Sequence, residues 1–186
     1  MGQMQLIAEE IHGERLQQAR KLFFDRGMVP EGLVNPLIIR SWERCRRFGL
    51  GDVGLTPVLQ PMDRVALKTE QERNRYLLIQ GRPIMEHVFE QIRDSGSMVI
   101  LADANGLLLE TVGDPDFVSR ADRVALAAGA SWDENIVGTN AVGTAIEIGS
   151  AAEVESVEHF CALAREWACA AVPVRDSVDG SLLGVI

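Results

Sequence analysis

The sequence predicts an α+β fold, in which a central antiparallel sheet is flanked by helices and preceded by an N-terminal helical segment and a long helix. Three observations predict it. Apolar residues up to residue 95 recur at helical spacing. From Ser97 onward the apolar runs are short, as in strands. Two pairs of such runs, over residues 98–112 and 170–186, form hairpin patterns with helix signals between them.

These patterns divide the chain into three parts. We expect an N-terminal helical region over residues 1–62, a long connecting helix over residues 63–95 and an α+β domain over residues 96–186. The first helix covers residues 5–26, and its apolar face is formed by Ile7, Ile11, Leu16, Ala19 and Phe23. Gly27 ends it.

The second helix covers residues 35–48 and presents two different faces. Asn35 is its N-cap, Pro36 takes its first position and Gly49 follows its end. Its apolar stripe is formed by Ile38, Trp42 and Cys45, and its basic face by Arg40, Arg44, Arg46 and Arg47. The basic face indicates a helix-turn-helix or a surface for an acidic partner, or else a solvated face or one docked on the acidic half of the chain. About eight residues separate the two helices, which is too long for a helix-turn-helix turn.

The long helix extends from about residue 63 to residue 93, after a linker over residues 49–62 that contains glycine and proline. Its length is roughly 46 Å, more than a small domain requires. Pro83 predicts a kink or the start of a new segment. Four apolar residues of its C-terminal half lie on one side: Leu77, Ile84, Val88 and Ile92. The helix either pairs with a second copy, which predicts a homodimer, or packs on its own domain.

The α+β domain begins and ends with a hairpin, and we expect both hairpins in one sheet. The first joins strands over residues 98–102 and 107–112 through the Asn105-Gly106 turn. The second joins residues 170–174 and 182–186, and because the sequence stops within the last strand we expect the domain to be truncated there. The elements predicted between them are a helix over residues 119–128, a strand over residues 152–154 and a helix over residues 156–164.

Residues 131–147, SWDENIVGTNAVGTAIE, are the most informative stretch. Ser131 and Glu134 have the spacing of a capping box. Asn140 is the predicted N-cap of a second short helix, which runs to Ile148 and stops at Gly149. Such a broken pair of helices either lines a small cavity with polar side chains or is a close-packed corner. In the second interpretation Gly138 and Gly143 only let two backbones approach.

Eight residues in and after this stretch are the predicted ligand-binding residues. They are Trp132, Asn135, Thr139, Asn140, Thr144, His159, Phe160 and Trp167. Trp132, Phe160 and Trp167 are notable in a chain with only 5% aromatic residues, and they either wall a small-molecule pocket or pack in an ordinary core.

The charge distribution narrows the classes of ligand. Residues 1–95 carry 14 basic and 13 acidic side chains, whereas residues 96–186 carry 4 and 14, in a chain of net charge −9. Phosphate contacts need clustered cations, so the acidic half argues against nucleic-acid binding there. The same charge favours a neutral ligand over an anionic one.

The sequence contains incomplete versions of a nucleotide-binding motif and of a zinc-binding motif. Residues 138–144 have the glycine spacing of a phosphate loop but lack its lysine. His159, Cys161 and Cys169 do not have the spacing of zinc ligands. We therefore predict no enzyme activity, no metal and no cofactor. Three widely spaced cysteines and the absence of an 18-residue apolar run or a signal peptide predict a cytoplasmic protein with no membrane contact.

Several motifs resemble one family. The segment SWERC at residues 41–45, followed by FGL at 48–50, resembles the segment ahead of the sensor domain in acetoin-catabolism-type (AcoR-like) activators. The segment IVGTNAVGTA at 136–145 resembles their GAF domain, as do EHFC at 158–161, WAC at 167–169 and PVRD at 173–176. The resemblance covers nearly the whole chain.

The resemblance implies a GAF-like fold for residues 96–186 and the role of the N-terminal sensory region of a sigma-54-dependent transcriptional activator. In that family a small inducer binds the GAF domain and controls a downstream AAA+ ATPase, while a Fis-type helix-turn-helix binds enhancer DNA. The implied partners are an inducer, a second copy and, for the full-length protein, sigma-54 RNA polymerase and enhancer DNA. We expect a neutral inducer, a ketone, alcohol or acetoin-like diol. The alternatives are a ligand-free dimerisation module and an iron-based gas sensor.

Overall fold

The computed structural model describes residues 2–50 and 60–186, so most of the predicted linker over residues 49–62 lies outside the described residues. Within these ranges seven α-helices follow one another. They are α1 (Gly2–Arg26), α2 (Pro36–Arg47), α3 (Arg64–Arg73), α4 (Arg75–Ile92), α5 (Pro115–Asp122), α6 (Glu134–Val137) and α7 (Ala141–Ile148). No helix of the described residues is long and apolar enough to cross a membrane.

The strands confirm the α+β class and both predicted hairpins. They are β1 (Met98–Asp103), β2 (Leu108–Gly113), β3 (Ala152–Glu155), β4 (Ala168–Ala171), β5 (Pro173–Arg175) and β6 (Leu182–Val185). Four of them form an antiparallel sheet in the order β2-β1-β6-β5, with Met98 opposite Gly113 and Leu101 opposite Glu110. The other two, β3 and β4, form a separate antiparallel ribbon.

Both hairpins lie in the four-stranded sheet, as expected, and the chain passes from the β3–β4 ribbon into that sheet at Val172. The strand predicted over residues 170–174 is divided there into β4 and β5. The Val172 amide donates to the Ile186 carbonyl at 2.7 Å, and the Ile186 amide donates back at 3.0 Å. Pro173 follows and has no backbone N–H, so the pairing pattern of β4 cannot continue through it.

Helix α2 has the predicted bounds and the predicted cap. The Asn35 side chain accepts from the Leu37 amide at 2.9 Å, and Pro36 takes the first position. The apolar stripe of α2 is fully buried, with Trp42 and Cys45 at 0% exposure. Its burial places this face of α2 against the core.

Two helix predictions in the α+β domain need correction. Helix α5 begins at Pro115 rather than at residue 119, because the fixed φ of proline suits the first helical turn. It ends before Ala125, whose φ of 54° cannot continue a helix. The helix predicted over residues 156–164 is instead two 3-10 turns, Ser156–Glu158 and Ala162–Ala164, separated at His159 by an extended ψ of 131°.

The long connecting helix is two helices. The break lies at Asn74, whose φ of −96° and ψ of 21° leave the helical region, whereas Pro83 stays inside α4 and starts no new segment. Helix α4 packs on its own sheet, since Leu77 is 3% exposed and Gly81 approaches Leu101 closely. Ile84 is 49% exposed, so the predicted apolar side of this helix is only partly buried.

One hydrophobic core joins the N-terminal helices to the α+β domain. Phe23 of α1 and Trp42 of α2 belong to the same buried cluster as Leu108 and Val154 of the strands. A second cluster lies between α4 and the sheet and includes Met85. The N-terminal region thus contributes to the core that supports the predicted site.

Among the side chains of α1 that the structure describes, those of the C-terminal half take part in this core. Leu16, Ala19 and Phe23 are buried, whereas Ile7 and Ile11 are 50% and 58% exposed. The predicted apolar face of the helix therefore continues beyond the surface that covers it.

Candidate functional site

Residues 133–149, which we call the α6–α7 corner, contain two short helices, each with a side-chain N-cap. The Asp133 side chain caps α6 by accepting from the Asn135 amide at 2.8 Å. Asn140 caps α7 by accepting from the Gly143 amide at 2.9 Å, and Gly149 ends it at a φ of 64°. The second cap and its stop are those predicted.

The predicted capping box at Ser131 was wrong. Ser131 forms a β-bridge with Leu107, and Asp133 takes the N-cap position instead. Glu134 does not reach back to the start of its helix, because its carboxylate is turned towards α2. A tertiary interaction has thus replaced the local one.

Glu134 is a buried carboxylate held by α2. It is 3% exposed and accepts from the Ser41 hydroxyl. The Arg44 guanidinium reaches it through Nε at 3.0 Å and Nη2 at 2.8 Å. Burial raises the pKa of Glu134, and the hydrogen bonds from Ser41 and Arg44 oppose that rise. The basic face of α2 is therefore docked on the acidic half at Arg44, while Arg40, Arg46 and Arg47 are exposed.

The hydroxyl groups of two predicted ligand-binding residues, Thr139 and Thr144, both contact Ser41. Thr139 and Thr144 are 0% and 1% exposed. The Thr139 Oγ1 lies 2.6 Å from the Ser41 Oγ, and the Thr144 Oγ1 lies 3.5 Å from it. Cys45 adds a contact from its Sγ to the Thr139 Oγ1 at 3.5 Å.

Asn140, Trp132 and Phe160 are tied to the corner by main-chain hydrogen bonds. The Asn140 Nδ2 donates to the Trp132 carbonyl at 3.0 Å and to the Gly138 carbonyl at 2.8 Å. The Trp132 Nε1 donates to the Ala125 carbonyl at 3.0 Å. The Phe160 amide donates to the Thr139 carbonyl at 3.1 Å. These three predicted residues therefore have structural partners of their own.

Gly138 and Gly143 are places of close approach. A Cβ at Gly138 would lie 2.3 Å from the Phe160 Cβ, and one at Gly143 would lie 2.5 Å from the Glu134 amide nitrogen. This part of the site matches the close-packed interpretation. Asn135 does not join it, because it is exposed on the outer side of α6.

His159 and Trp167 differ from the other predicted residues. They are 0% and 9% exposed, and the His159 Nε2 and the Trp167 Nε1 are buried without a hydrogen-bond partner among the described residues. Both residues are linked to Ser156: its amide donates to the Trp167 carbonyl at 2.9 Å, and its carbonyl lies 3.1 Å from the His159 Nδ1.

The protonation of His159 follows from this contact. Burial lowers the pKa of its imidazole to about 4, so the ring is neutral at pH 7. The Ser156 carbonyl can only accept, so Nδ1 carries the proton and Nε2 is an acceptor. Because the Trp167 indole can only donate, the two unpartnered atoms are one acceptor and one donor.

We expect acid to destabilise the fold through His159. Its folded pKa of about 4 lies below the ordinary value of 6.5, so below about pH 6.5 the unfolded chain binds a proton more readily. Stability is therefore lost as the pH falls from about 6.5 to about 4. Between pH 7 and pH 5 the loss from this residue is about 2 kcal/mol. Urea denaturation at both pH values, on the wild type and on His159→Gln, measures it.

Comparing wild type with the His159 variant distinguishes the contribution of His159 to the pH dependence of stability from that of Glu158. Burial raises the pKa of Glu158 to about 7, so this residue acts with the opposite sign and loses stability as the pH rises from about 4.5 to 7. Between pH 7 and pH 5, the free energy of unfolding of His159→Gln is expected to fall less than that of wild type. His87 is exposed on α4, so the free energy of unfolding of His87→Gln is expected to fall as much as that of wild type. Parallel profiles for wild type and His159→Gln would contradict the assignment.

Two open grooves lie away from the eight predicted residues. One of about 440 Å³ lies between α1 and the β3–β4 ribbon and is lined by residues such as Arg15, Val154 and Glu158. The other, of about 820 Å³, lies between α3 and α4. Among the described residues no group of three His, Cys, Asp or Glu side chains is placed to hold a metal ion. Cys45, Cys161 and Cys169 are free thiols.

Sequence reasoning missed the residues of α2 that complete the corner. Ser41 and Arg44 lie in the SWERC segment, yet nothing local shows that they meet Glu134, which is 90 residues from Arg44. It also missed Arg20 of α1, a buried guanidinium that donates to the Val157 and His159 carbonyls at 2.9 and 3.1 Å. These contacts hold the chain around His159 in place.

The chain matches one family over most of its length. The model of the family described as MimR, N-terminal domain, matches residues 13–186. The acetoin dehydrogenase operon transcriptional activator AcoR of Bacillus subtilis is 31% identical over 173 residues, which are 91% of this chain and 28% of that protein. The propane 2-monooxygenase operon transcriptional activator MimR of Mycolicibacterium goodii is 32% identical, again over 91% of this chain and 28% of the relative. The chain therefore spans less than a third of these two relatives.

The fold has a counterpart among solved structures. The crystal structure of the E. coli DhaR(N)-DhaL complex contains a chain that superposes with a TM-score of 0.75 and 26% identity, over 81% of this chain and 50% of that one. This likeness supports the GAF-like α+β fold expected from the sequence motifs. The relatives named above are transcriptional activators, as the resemblance implied.

Proposed function

This chain belongs to the MimR N-terminal domain family, and from that membership we propose that it is the ligand-sensing region of a sigma-54-dependent transcriptional activator. It binds a small neutral inducer of the ketone, alcohol or diol class and thereby controls a downstream AAA+ ATPase. The full-length protein works in the cytoplasm, with sigma-54 RNA polymerase and enhancer DNA as its partners.

The observation that carries this proposal is that the His159 Nε2 and the Trp167 Nε1 are each buried without a hydrogen-bond partner among the described residues. Buried polar atoms are nearly always hydrogen-bonded, so a buried acceptor and a buried donor that lack protein partners favour a ligand with polar groups. A hydroxyl group both donates and accepts, and a ketone only accepts. The buried carboxylate of Glu134 is neutralised by Arg44, which agrees with a neutral ligand.

A thermal-shift experiment tests the proposal. The probes are 2,3-butanediol, 3-hydroxy-2-butanone and 2-butanone, each added to the purified chain. A bound probe at 100 times its dissociation constant adds about 2.7 kcal/mol, or about 5–10 °C for a chain of this length. Trp167→Phe removes the free donor without removing a hydrogen bond. We expect it to weaken binding of the probes about tenfold, which is about 1.4 kcal/mol.

A second tryptophan provides the control. The Trp42 Nε1 is already used, since it donates to the Glu158 carbonyl at 2.8 Å. Trp42→Phe is expected to lower the melting temperature but to leave the shift caused by the probes unchanged. If Trp167→Phe and Trp42→Phe keep the same probe response, the assignment of Trp167 to the ligand site is wrong.

A second candidate function is a dimerisation or interaction module that binds no small ligand. The closed packing of Gly138 and Gly143 favours it. So do the exposed apolar side chains on α4, Tyr76, Ile79 and Ile84, which leave a face free for a second copy. The solved relative was crystallised with a protein, DhaL. A folded chain that shows no shift with any probe would favour this candidate.

A further inference from the structure

The groove of about 820 Å³ between α3 and α4, which we call the α3–α4 groove, has a partly apolar lining. Leu78 lines it and belongs to the core cluster between α4 and the sheet. Val65 and Ile79 also line it, and they are 78% and 56% exposed. The Gln71 Nε2 donates to the Leu109 carbonyl at 2.9 Å, which fastens α3 to β2. The groove is therefore a surface held in place by the fold, with apolar area left in contact with solvent.

The charged part of the lining is mostly cationic. Its basic side chains are Arg64, Lys68, Arg75 and Arg82. Arg82 is neutralised, since its Nε lies 2.9 Å from a carboxylate oxygen of Glu110. The other three basic side chains are exposed and form no ion pair in the part of the chain that the structure describes. The acidic side chain of the lining is Glu72. A chain of net charge −9 thus presents an apolar groove with an excess of positive charge.

We propose that the α3–α4 groove docks an acidic amphipathic helix of a partner protein. An amphipathic helix places its apolar face in a groove, where it would cover Val65 and Ile79. Carboxylates on the sides of that helix would then lie opposite Lys68 and Arg75, and such complementary charge favours both the encounter and the correct partner. This inference goes beyond the inducer site and does not depend on it.

Two other occupants fit the groove less well. A second copy of the chain that docked through a two-fold axis would place this groove against itself. The cations of the two copies would then face each other, and like charges across an interface are unfavourable. A nucleic acid would neutralise the cations, but its phosphate backbone would not cover the exposed apolar side chains of Val65 and Ile79.

Fluorescence anisotropy tests the proposal with a labelled peptide of about 18 residues, or about five helical turns. The peptide has leucine along one face and glutamate on both sides of that face, and a second peptide has the same composition in scrambled order. We expect the purified chain to bind the amphipathic peptide at least about tenfold more tightly than the scrambled peptide. Ile79→Ser is expected to weaken binding at least about fivefold. Val178→Ser is the control, because Val178 is 92% exposed and lies outside the groove lining, and it should leave the affinity unchanged.

Two charge variants test the cations. Lys68→Glu with Arg75→Glu reverses two unpaired charges of the groove and is expected to weaken binding of the amphipathic peptide at least about tenfold. Lys21→Glu with Arg26→Glu is the matched control, because it changes the net charge by the same amount at two exposed residues of α1. It should bind the peptide within about twofold of wild type, since salt screens distant charges. All four substituted residues are exposed, so both variants are expected to keep the fold, which circular dichroism verifies.

Several results would overturn the proposal while leaving the inducer site untouched. Equal binding of the two peptides, or equal losses in the two charge variants, would show that the groove does not recognise an acidic amphipathic helix. A DNA duplex that binds more tightly than the peptide, and that loses affinity in Lys68→Glu with Arg75→Glu, would make the groove a nucleic-acid surface. If sedimentation shows a dimer for wild type and a monomer for that variant, the occupant is a second copy.

Discussion

Replacing Arg44 with methionine is expected to lower the free energy of unfolding by about 3–5 kcal/mol. Arg44 and Glu134 are 14% and 3% exposed, so the variant leaves a buried carboxylate whose remaining side-chain partner is Ser41. Methionine keeps most of the length of the arginine stem and therefore removes charge more than packing. Urea denaturation at pH 7 measures the change, which corresponds to a melting temperature lower by roughly 6–20 °C.

Two further variants show whether the pair itself is responsible. Arg47→Met makes the same substitution on an exposed residue of the same helix and is expected to change stability by less than about 0.5 kcal/mol. The double variant Arg44→Met with Glu134→Met removes both charges, and replacing a buried pair by apolar residues is often close to neutral. An Arg44→Met variant as stable as Arg47→Met would show that the buried pair does not stabilise the fold.

Gly138→Ala is the second substitution with a large expected effect, a loss of at least about 3 kcal/mol. The φ of Gly138 is 80° and its ψ is −167°, a region that is essentially restricted to glycine and costs an alanine about 1–3 kcal/mol. The new Cβ would also lie 2.3 Å from the Phe160 Cβ, which cannot turn away as the end of a flexible side chain could. Thermal and urea denaturation of the purified variant measure the combined loss.

Gly32→Ala separates the two contributions. Gly32 has a similar φ of 73°, but a Cβ there meets nothing within 4 Å. It should therefore show only the conformational loss of about 1–2 kcal/mol. A larger loss in Gly138→Ala than in Gly32→Ala reflects the contact with Phe160 together with the ψ of −167° at Gly138, and equal losses would contradict close packing at Gly138.

Features that depend on neighbouring residues could be predicted from the sequence. The Asn35 cap with Pro36 after it, the Asn105-Gly106 hairpin and the Asn140 cap with its stop at Gly149 are all decided within a few residues. Their energies are local, so the pattern alone was sufficient. The fold class followed from them, because two hairpins separated by short helices leave few alternatives.

The rest depended on contacts between distant parts of the chain. Ser131 and Glu134 had the spacing of a capping box, but the charge of Arg44 attracted Glu134 more strongly than the end of its own helix did. The long helix broke at Asn74, where the chain turns to pack on the sheet, and not at the residue with the strongest intrinsic signal, Pro83. At both places tertiary packing overrode a correct local preference.

The placement of the aromatic residues has a consequence for spectroscopy. The chain has three tryptophans, and Trp42, Trp132 and Trp167 all belong to the core cluster that joins α1, α2 and the α6–α7 corner. The cluster between α4 and the sheet contains none of them. The single tyrosine, Tyr76, is 53% exposed on α4. Tryptophan emission therefore follows the half of the molecule that holds the proposed site, and it is insensitive to an opening of α4 that leaves this half intact.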